Sequence, residues 1–209
     1  DNIWATITSG NYSNSLTSGS QLMKLLNSGA WWNGTSGSYY NSATATTVDF
    51  TNYKLSDKAN GYISTSRYYL GEYGDSHLLP PATATYEIER GTGRYYENRP
   101  LYWDGIVGLM YLSDYGYASG NSCATNTPLS SYYNKGCYQK DWLSDLSNNQ
   151  WTMKNCYGDG GYVYLLYSNG RIIAREASSL NVVRPSFYLT STTSIIDGDG
   201  SLNNPYILK

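Results

Sequence analysis

Residues 162–174, YVYLLYSNGRIIA, contain the strongest structural signal in this sequence. Apolar and aromatic residues stand on both sides of SNG at 168–170, and Asn-Gly is the pair that most strongly favours a tight turn between antiparallel strands. The stretch therefore predicts a β-hairpin. Because Trp151 opens a further run of strand-forming residues, the chain from residue 151 onward is predicted to be a β-meander.

Strands and turns are also predicted elsewhere. Strand-like patterns occupy residues 3–7, 86–91, 105–111 and 182–189. The strand at 105–111 runs directly into a capped helical turn at 113–118, and DGDG at 197–200 predicts a tight turn.

Two longer helices are predicted in the first third of the chain. Ser20 can cap a helix over residues 21–26, which a following glycine ends. Ser56 can cap a second helix that extends to about Tyr69. One face of this second helix would comprise Ala59, Tyr62, Ile63 and Arg67. The residues between the two helices, 31–47, are polar, and their apolar residues show no regular helical or strand spacing, so a long loop is predicted there.

The composition excludes one class of partner and suggests another. With 14% charged residues and a formal net charge of -2, the chain lacks the basic surface that grips a phosphate backbone, so no nucleic-acid partner is expected. It contains 24 tyrosines but only 2 phenylalanines, together with many Gly, Ser and Asn residues. This is the composition of antibody paratopes, where Tyr supplies contact area at low entropic cost. Alternatively, Tyr replaces Phe in a half-buried β-protein.

Length indicates a single domain, and composition favours a location outside the cell. The 209 residues suit a single domain over 1–209. No apolar stretch approaches the roughly 20 residues that span a bilayer, so no transmembrane segment is expected. The first residues lack the regions of a signal peptide, so we expect a mature or trimmed form. Low charge and abundant Ser, Thr, Asn and Gly favour an extracellular or cell-surface location.

The three cysteines predict one disulfide. Cys123 and Cys137 lie in a stretch rich in Gly, Ser and Asn, and a bridge between them would stabilise the fold by roughly 3 kcal/mol in the chain-entropy model. Cys156 would then be a free thiol. Because His77 is the single histidine and no Cys-x-x-Cys spacing occurs, the sequence predicts no metal site and no cofactor.

Three segments resemble a known fold family. GLMYLSDYGYA at 108–118 is similar to a strand-into-helix step, WTM at 151–153 with the hairpin is similar to a tryptophan strand and its loop, and VRPSFYL at 183–189 is similar to a core-closing strand. Together they resemble the C-type lectin-like fold, in the branch of formylglycine-generating enzymes and of the variable proteins of diversity-generating retroelements. The resemblance implies an α+β domain with two helices, antiparallel sheets, long irregular loops and a last strand that returns to the first.

The whole chain also looks like a second group of proteins. From DFTNY at 49–53 to NPY at 204–206, it is similar to pilin-like secreted proteins of gut bacteria. Those proteins pair such a domain with an N-terminal hydrophobic anchor helix, which this sequence does not contain. The resemblance therefore implies a pilin-like relative whose membership in a pilus stays open.

The resemblance to variable proteins also implies a ligand-binding surface between the tryptophan strand and the Arg-Pro strand. The matching positions are Asn155, Tyr157, Asp159, Tyr162, Tyr164, Tyr167, Asn169, Arg171 and Arg175. Alternation along a strand would place Tyr162 and Tyr164 in one row on one face. Two orientations stay open: the row faces outward to a ligand, or it faces the core. Arg184 is expected to anchor a buried network rather than to contact a ligand.

Catalytic and calcium-binding patterns are weak. A hydrolase could use a pair such as Glu87 and Glu89, but two carboxylates at alternate positions of one strand are weak evidence for such a pair. A Cys–His site would need His77 beside Cys156, and neither has a local signature.

DGDGSLN at 197–203 lacks the later Glu of a calcium loop, so a plain turn is expected. The cysteine spacing does not match the copper-binding pair of formylglycine-generating enzymes, and we predict that the chain is not an enzyme.

These observations predict an extracellular ligand-binding domain. It would act as an adhesin or receptor-binding domain, with a variable protein diversified by a retroelement as one form of it, and its partner would be a host or bacterial surface protein or glycan. One alternative is a structural subunit of a pilus or surface filament, whose tyrosines bury themselves by self-association. A weaker alternative is a secreted enzyme acting on polysaccharide.

Overall fold

The computed structural model describes residues 6–8, 11–13, 21–41, 44–70, 79–91, 102–144, 147–155, 162–177, 179–200 and 203–209. These residues form a mixed α+β structure of short helices and small antiparallel sheets. The helices are α1 (Gln21–Asn27), α2 (Ala30–Asn33), α3 (Asp57–Asn60), α4 (Ala82–Arg90), α5 (Leu112–Ala118) and α6 (Asn121–Asn126). Further 3-10 turns lie at Thr51–Tyr53, Leu129–Ser131 and Cys137–Lys140.

The strands pair mostly as hairpins. They are β1 (Thr6–Thr8), β2 (Asn11–Ser13), β3 (Ser36–Asn41), β4 (Thr44–Asp49), β5 (Ser66–Tyr69), β6 (Tyr102–Gly105), β7 (Gly108–Leu109), β8 (Gln150–Asn155), β9 (Tyr162–Leu166), β10 (Ile172–Glu176), β11 (Pro185–Ser186), β12 (Ile195–Asp197) and β13 (Ile207–Leu208). The three-stranded sheet has the order β10-β9-β8, and the two-stranded pairs are β1-β2, β3-β4, β5-β6, β7-β11 and β12-β13.

The predicted Asn-Gly hairpin is confirmed, and the predicted meander is confirmed for β8–β10 but does not continue into β11, which pairs with β7. Strand β9 pairs antiparallel with both β8 and β10, and the turn between β9 and β10 closes through hydrogen bonds of 2.8 Å from the N–H of Tyr167 to Arg171 O and from the N–H of Gly170 to Tyr167 O. Gly170 has a φ of 81°, and a Cβ there would lie 2.2 Å from Tyr138. Glycine is therefore required by both the backbone and its neighbour.

Strand β9 is buried on both of its faces. Tyr164 and Leu166 join one core cluster, the Tyr132 core, which also contains Leu112, Tyr115, Leu129, Tyr132 and Cys137. Val163 and Leu165 join the Trp103 core on the other face, with Tyr68, Trp103, Leu109, Tyr111 and Trp151. Of the two orientations that the sequence left open for the tyrosine row, the structure has the one toward the core, since Tyr164 is only 6% exposed and Tyr162 packs against the same cluster.

The strand-into-helix step at 105–118 is confirmed, with shifted bounds. Strands β6 and β7 lie at either end of a buried segment, and α5 begins at Leu112 rather than at Ser113. The helix is capped by Asp114, whose Oδ2 accepts the N–H of Tyr111 at 2.9 Å. Because an acidic side chain at the third helical position satisfies a backbone donor there, the helix starts at Leu112, two residues before Asp114, where a cap at Ser113 would have placed its first residue.

The predicted second helix is mostly wrong. Ser56 does cap it, since its Oγ accepts the N–H of Ala59 at 3.1 Å, but α3 ends at Asn60. Residues 66–69 form strand β5 instead and pair with β6. The physical reason is tertiary: Tyr68 is 1% exposed, and its ring centroid lies 5.4 Å from that of Trp103.

The predicted strand at 86–91 is also wrong, because this segment belongs to helix α4. The buried positions Ala82, Thr85 and Glu89 recur at helical rather than alternating spacing. Pro81 stands just before the first helical turn, where the missing N–H of a proline is tolerated. The expected reading of Glu87 and Glu89 as strand neighbours therefore fails, since Glu87 is exposed and Glu89 is fully buried.

The predicted loop at 31–47 contains regular structure. It holds the end of α2 and most of the hairpin β3–β4, in which Ser36 pairs with Asp49 and Asn41 with Thr44. The run TATTVD favours a strand through its β-branched residues, although it lacks the apolar alternation of a half-buried strand. A search for alternating apolar residues therefore misses it.

The ends of the chain agree with the predictions only in part. The turn at 197–200 is confirmed, with φ of 88° at Gly198 and 82° at Gly200. Within the predicted strand 182–189, only β11 forms a ladder, with Val182 and Leu189 in isolated bridges. In the described part of the chain, the last strand, β13, pairs with β12, whereas β1 pairs with β2. The expected return of the last strand to the first is therefore not observed there.

The predicted disulfide is present between Cys123 and Cys137, with Cα atoms 6.1 Å apart. It ties α6 to the 3-10 turn Cys137–Lys140 beneath the hairpin. We expect the double variant Cys123→Ser/Cys137→Ser to lose about 3 kcal/mol of unfolding free energy, because the unfolded chain regains the entropy of the open loop. Urea denaturation measures this loss, with Cys156→Ser as the control. Equal midpoints for the two variants would contradict the expectation.

Candidate ligand-binding surface

The structure distributes the sequence-predicted site residues rather than gathering them. Tyr164 is buried, Tyr162 and Tyr167 are half-buried, and Asn169, Arg171 and Arg175 are exposed. Asn155 ends strand β8, but its side chain lies outside the described part, as do Tyr157 and Asp159. The positions on which a surface can be built from the described residues are therefore those of the hairpin β9–β10.

One side of this hairpin forms an open groove, which we call the hairpin groove. It has a volume of about 420 Å³ and is lined by Leu79, Ser130, Tyr164, Arg171, Ile172, Ile173 and Ala174. Its volume falls within the range of about 300–1,000 Å³ that is typical of small-ligand sites. Two of the nine predicted residues, Tyr164 and Arg171, thus meet at one concave surface.

Aromatic rings extend this groove onto the disulfide loop. The Arg171 guanidinium carbon lies 5.4 Å from the ring centroid of Tyr133, which itself stacks on Tyr138 with centroids 5.8 Å apart and planes inclined by 21°. Tyr133 is 42% exposed, so its ring faces solvent beside the arginine. We call these three residues the Tyr–Arg stack.

The Tyr–Arg stack stands on a rigid base. Tyr132, next to Tyr133, is fully buried and donates a hydrogen bond of 2.8 Å to Gly116 O. Tyr115 donates one of 3.1 Å to Gly170 O and thereby joins helix α5 to the hairpin turn. The disulfide and these two buried hydroxyls fix the loop against the hairpin, so the exposed rings are held before any ligand arrives.

Sequence reasoning missed Tyr133 and Tyr138 as surface residues. Both lie within or beside the loop closed by the predicted disulfide, at 123–137, whereas the family resemblance pointed to residues 155–175. The tyrosine pair at 132–133 was the available signal: when the first of two consecutive tyrosines is buried, the second tends to point outward.

The remaining exposed pair lies apart from the hairpin groove. Arg175 Nε donates a hydrogen bond of 2.7 Å to Tyr167 Oη, and its guanidinium carbon lies 5.5 Å from that ring centroid. Arg175 pairs with Val163 across the sheet, on the face toward the Trp103 core. The predicted positions that the structure describes therefore do not form one continuous surface.

Arg184 has the structural position that the sequence predicted. Its Nη1 donates a hydrogen bond of 2.9 Å to Leu143 O. The same turn contains Asp141, which is 6% exposed and whose Oδ1 accepts the N–H of Leu143 at 2.9 Å. Burial raises the pKa of Asp141 to about 7, although its hydrogen bonds to Leu143 and Ser144 and the nearby Arg184 charge act in the opposite direction.

A buried carboxylate also organises the start of helix α5. The two oxygens of Glu89 accept the N–H groups of Leu112 at 3.0 Å and Ser113 at 3.1 Å. Its neighbour Arg90 donates to Ser113 Oγ at 2.7 Å and pairs with Asp114 at 2.8 Å. Burial raises the pKa of Glu89 despite these partners. This carboxylate holds the end of α4 to the start of α5, and it lines neither of the two grooves formed by the described residues.

The turn at 197–200 is held by its own side chain, since Asp197 Oδ1 accepts the N–H of Gly198 at 2.7 Å. Among the described residues no three His, Cys, Asp or Glu side chains converge as metal ligands would. His77 and Cys156 lie outside this part of the chain.

The described helices are short, and none of them combines the length and hydropathy that crossing a membrane requires. Comparison with known proteins gives no relative from which a role could be transferred. No protein-family model matches the chain, and neither a curated protein nor a solved structure shows significant similarity to it.

Proposed function

We propose that this chain is an extracellular ligand-binding domain, of the adhesin or receptor-binding kind, that contacts a cell-surface protein or glycan through the hairpin groove and the Tyr–Arg stack. The proposal includes a C-type lectin-like fold over residues 1–209. Diversification by a retroelement is one proposed origin of its binding surface. The antiparallel meander β8–β10 and the strand-into-helix step at α5 support that arrangement.

The observation that carries the proposal is the Tyr–Arg stack itself. Tyr and Arg are the residue types most enriched among those that dominate binding energy at interfaces. Here Arg171, Tyr133 and Tyr138 are stacked beside a groove on a base fixed by a disulfide. Because their rings are already ordered, binding loses little side-chain entropy, and most of the gain from burying them is retained.

The disulfide supports an extracellular location. Structural disulfides persist in oxidising compartments and are rare in the reducing cytosol. The Cys123–Cys137 bridge lies directly beneath the proposed surface, so its oxidation state and the order of the Tyr–Arg stack are linked.

Binding is favoured over catalysis by where the perturbed carboxyl groups lie. General acids and bases must reach a substrate, and their shifted pKa values serve that reaction. Glu89 and Asp141, whose pKa values are raised, are both buried and hydrogen-bond to backbone N–H groups. Burial accounts for both raised pKa values, and the hydrogen bonds give both groups a structural role.

We expect the variant Tyr133→Ala/Arg171→Ala to lose at least tenfold in affinity for a surface protein or glycan identified by array screening, because each residue contributes buried contact area and Arg171 also loses its ring partner. The matched control is Arg67→Ala, which removes another exposed arginine held 3.7 Å over a ring, that of Tyr102. Loss of binding in the control alone, or in neither variant, would contradict the proposed surface.

A second function, that of a structural filament subunit, is favoured by one specific observation. The hairpin β12–β13 exposes Ile195 and Ile196 at 58% and 59%, with Tyr206 and Ile207 beside them at 54% and 47%. Contiguous exposed apolar residues often mark an association surface. If the chain assembles through this hairpin, sedimentation at rising concentration will show oligomers that Ile196→Asp abolishes and Tyr133→Ala/Arg171→Ala leaves intact.

A further inference from the structure

A second groove lies between helix α5 and the turn that follows the disulfide loop. We call it the Trp142 groove. It has a volume of about 420 Å³, and its main lining residues are Met110, Asp114, Tyr117, Trp142, Leu143 and Ser186. None of these residues lines the hairpin groove, so the two surfaces can be changed independently.

Trp142 is held outward by its neighbours. Its side chain is 77% exposed, although Asp141 and Leu143 on either side are 6% and 9% exposed. The hydrogen bond from the N–H of Leu143 to Asp141 Oδ1 and the one from Arg184 Nη1 to Leu143 O pin the turn from inside. The backbone that carries the indole is therefore held in place on both sides of Trp142.

A second ring and one carboxylate, those of Tyr117 and Asp114, also line the groove. Tyr117 is 45% exposed, and its ring meets that of Tyr86 edge-on, with centroids 6.2 Å apart. Asp114, almost one helical turn earlier, is 39% exposed at its side chain and pairs with Arg90 at 2.8 Å. Because Arg90 neutralises Asp114, the groove offers hydrogen-bond acceptors and donors without a net charge.

We propose that the Trp142 groove binds a neutral carbohydrate chain, with Trp142 and Tyr117 stacking on sugar rings and Asp114 accepting hydrogen bonds from hydroxyl groups. The C–H face of a pyranose is apolar and matches an exposed indole, while its rim of hydroxyls needs directional partners. A site with both kinds of group at fixed positions fits such a ligand.

Charge and size select this ligand class over two others. A charged sugar or a phosphate ligand would need an unpaired ion in the groove, and there Asp114 and Arg90 already pair with each other. A stable protein partner needs about 800 Å² of contact on each side, so it would have to contact surface well beyond the residues that line this groove. A short stretch of sugar units fits within the groove.

The test is binding of neutral glycans to the intact chain. A printed array of neutral plant, fungal, bacterial and mucin glycans identifies the tightest oligosaccharide, whose affinity is then measured by titration calorimetry. We expect Trp142→Ala to weaken this binding at least tenfold and Tyr117→Ala to weaken it less, since the indole offers the larger exposed ring. Tyr102→Ala, which removes another exposed ring, is the control and is expected to change nothing.

Three results would overturn the proposal: no neutral glycan binds, binding survives both Trp142→Ala and Tyr117→Ala, or Trp142 is needed for a protein partner alone. Retention of the fold in each variant is checked by its thermal midpoint. Sugar binding that is lost in Tyr133→Ala/Arg171→Ala and retained in Trp142→Ala would place the glycan at the hairpin groove instead. The two proposed surfaces therefore fail separately.

Discussion

Glu89→Ala is expected to lower the free energy of unfolding by about 3–5 kcal/mol, the cost typical of breaking a buried charged network. The carboxylate is fully buried and accepts the N–H groups of Leu112 and Ser113 at the start of α5. Without it, both donors stay buried and lose their acceptor, and Arg90 loses one of its two carboxylate neighbours.

Chemical denaturation followed by tryptophan fluorescence measures this loss. Glu87→Ala, on the same helix but exposed, is the matched control and is expected to stay within about 0.5 kcal/mol of the parent protein. Glu89→Gln should fall between them, since one amide oxygen can accept only part of what two carboxylate oxygens accept. Similar stability of Glu89→Ala and Glu87→Ala would show that the carboxylate does not hold α5 in place.

Asp141→Asn is expected to remove a large part of the pH dependence of stability. Burial raises the pKa of Asp141 to about 7, whereas the unfolded chain titrates near pH 3.9. The folded state thus binds the proton more tightly, so this contribution to stability is fully present below about pH 4 and is lost as the pH rises to about 7. A shift of this size corresponds to about 4 kcal/mol at about 1.4 kcal/mol per pKa unit.

The cause lies in the surroundings of the carboxyl group. Its Oδ2 is buried and receives no hydrogen bond from any described group. The charge of Arg184 acts to lower the pKa of Asp141. The charge of Asp141 in turn acts to raise the pKa values of Tyr115 and Tyr132. Urea denaturation of the parent protein and the variant between pH 4 and 8 gives two curves whose difference should change across this window. Parallel curves would contradict the raised pKa of Asp141.

The candidate site was predictable only in part. Arg171 was expected at a ligand surface and does line a groove, but its ring partners Tyr133 and Tyr138 come from a loop that no sequence pattern linked to the hairpin. The exposure of Trp142 was equally hidden, because a tryptophan between two buried residues gives no periodic signal. Which aromatic residues reach solvent depends on the packing of segments distant in sequence.

The sequence by itself determined the features whose causes are local. Asn169-Gly170 determined the hairpin turn, Ser56 the cap of α3, and the spacing of Cys123 and Cys137 allowed the disulfide. These depend on backbone conformation, a short hydrogen bond or chain proximity, all of which are set within a few residues.

Only the tertiary structure decided which faces are buried. Tyr164 points into the Tyr132 core and Val163 into the Trp103 core, since β9 lies between two clusters and has no solvent face in its centre. Residues 66–69 became a strand because Tyr68 packs on Trp103, against their helical pattern. Burial of large side chains outweighs local propensities of a few tenths of a kcal/mol per residue, so the tertiary contacts determined these choices.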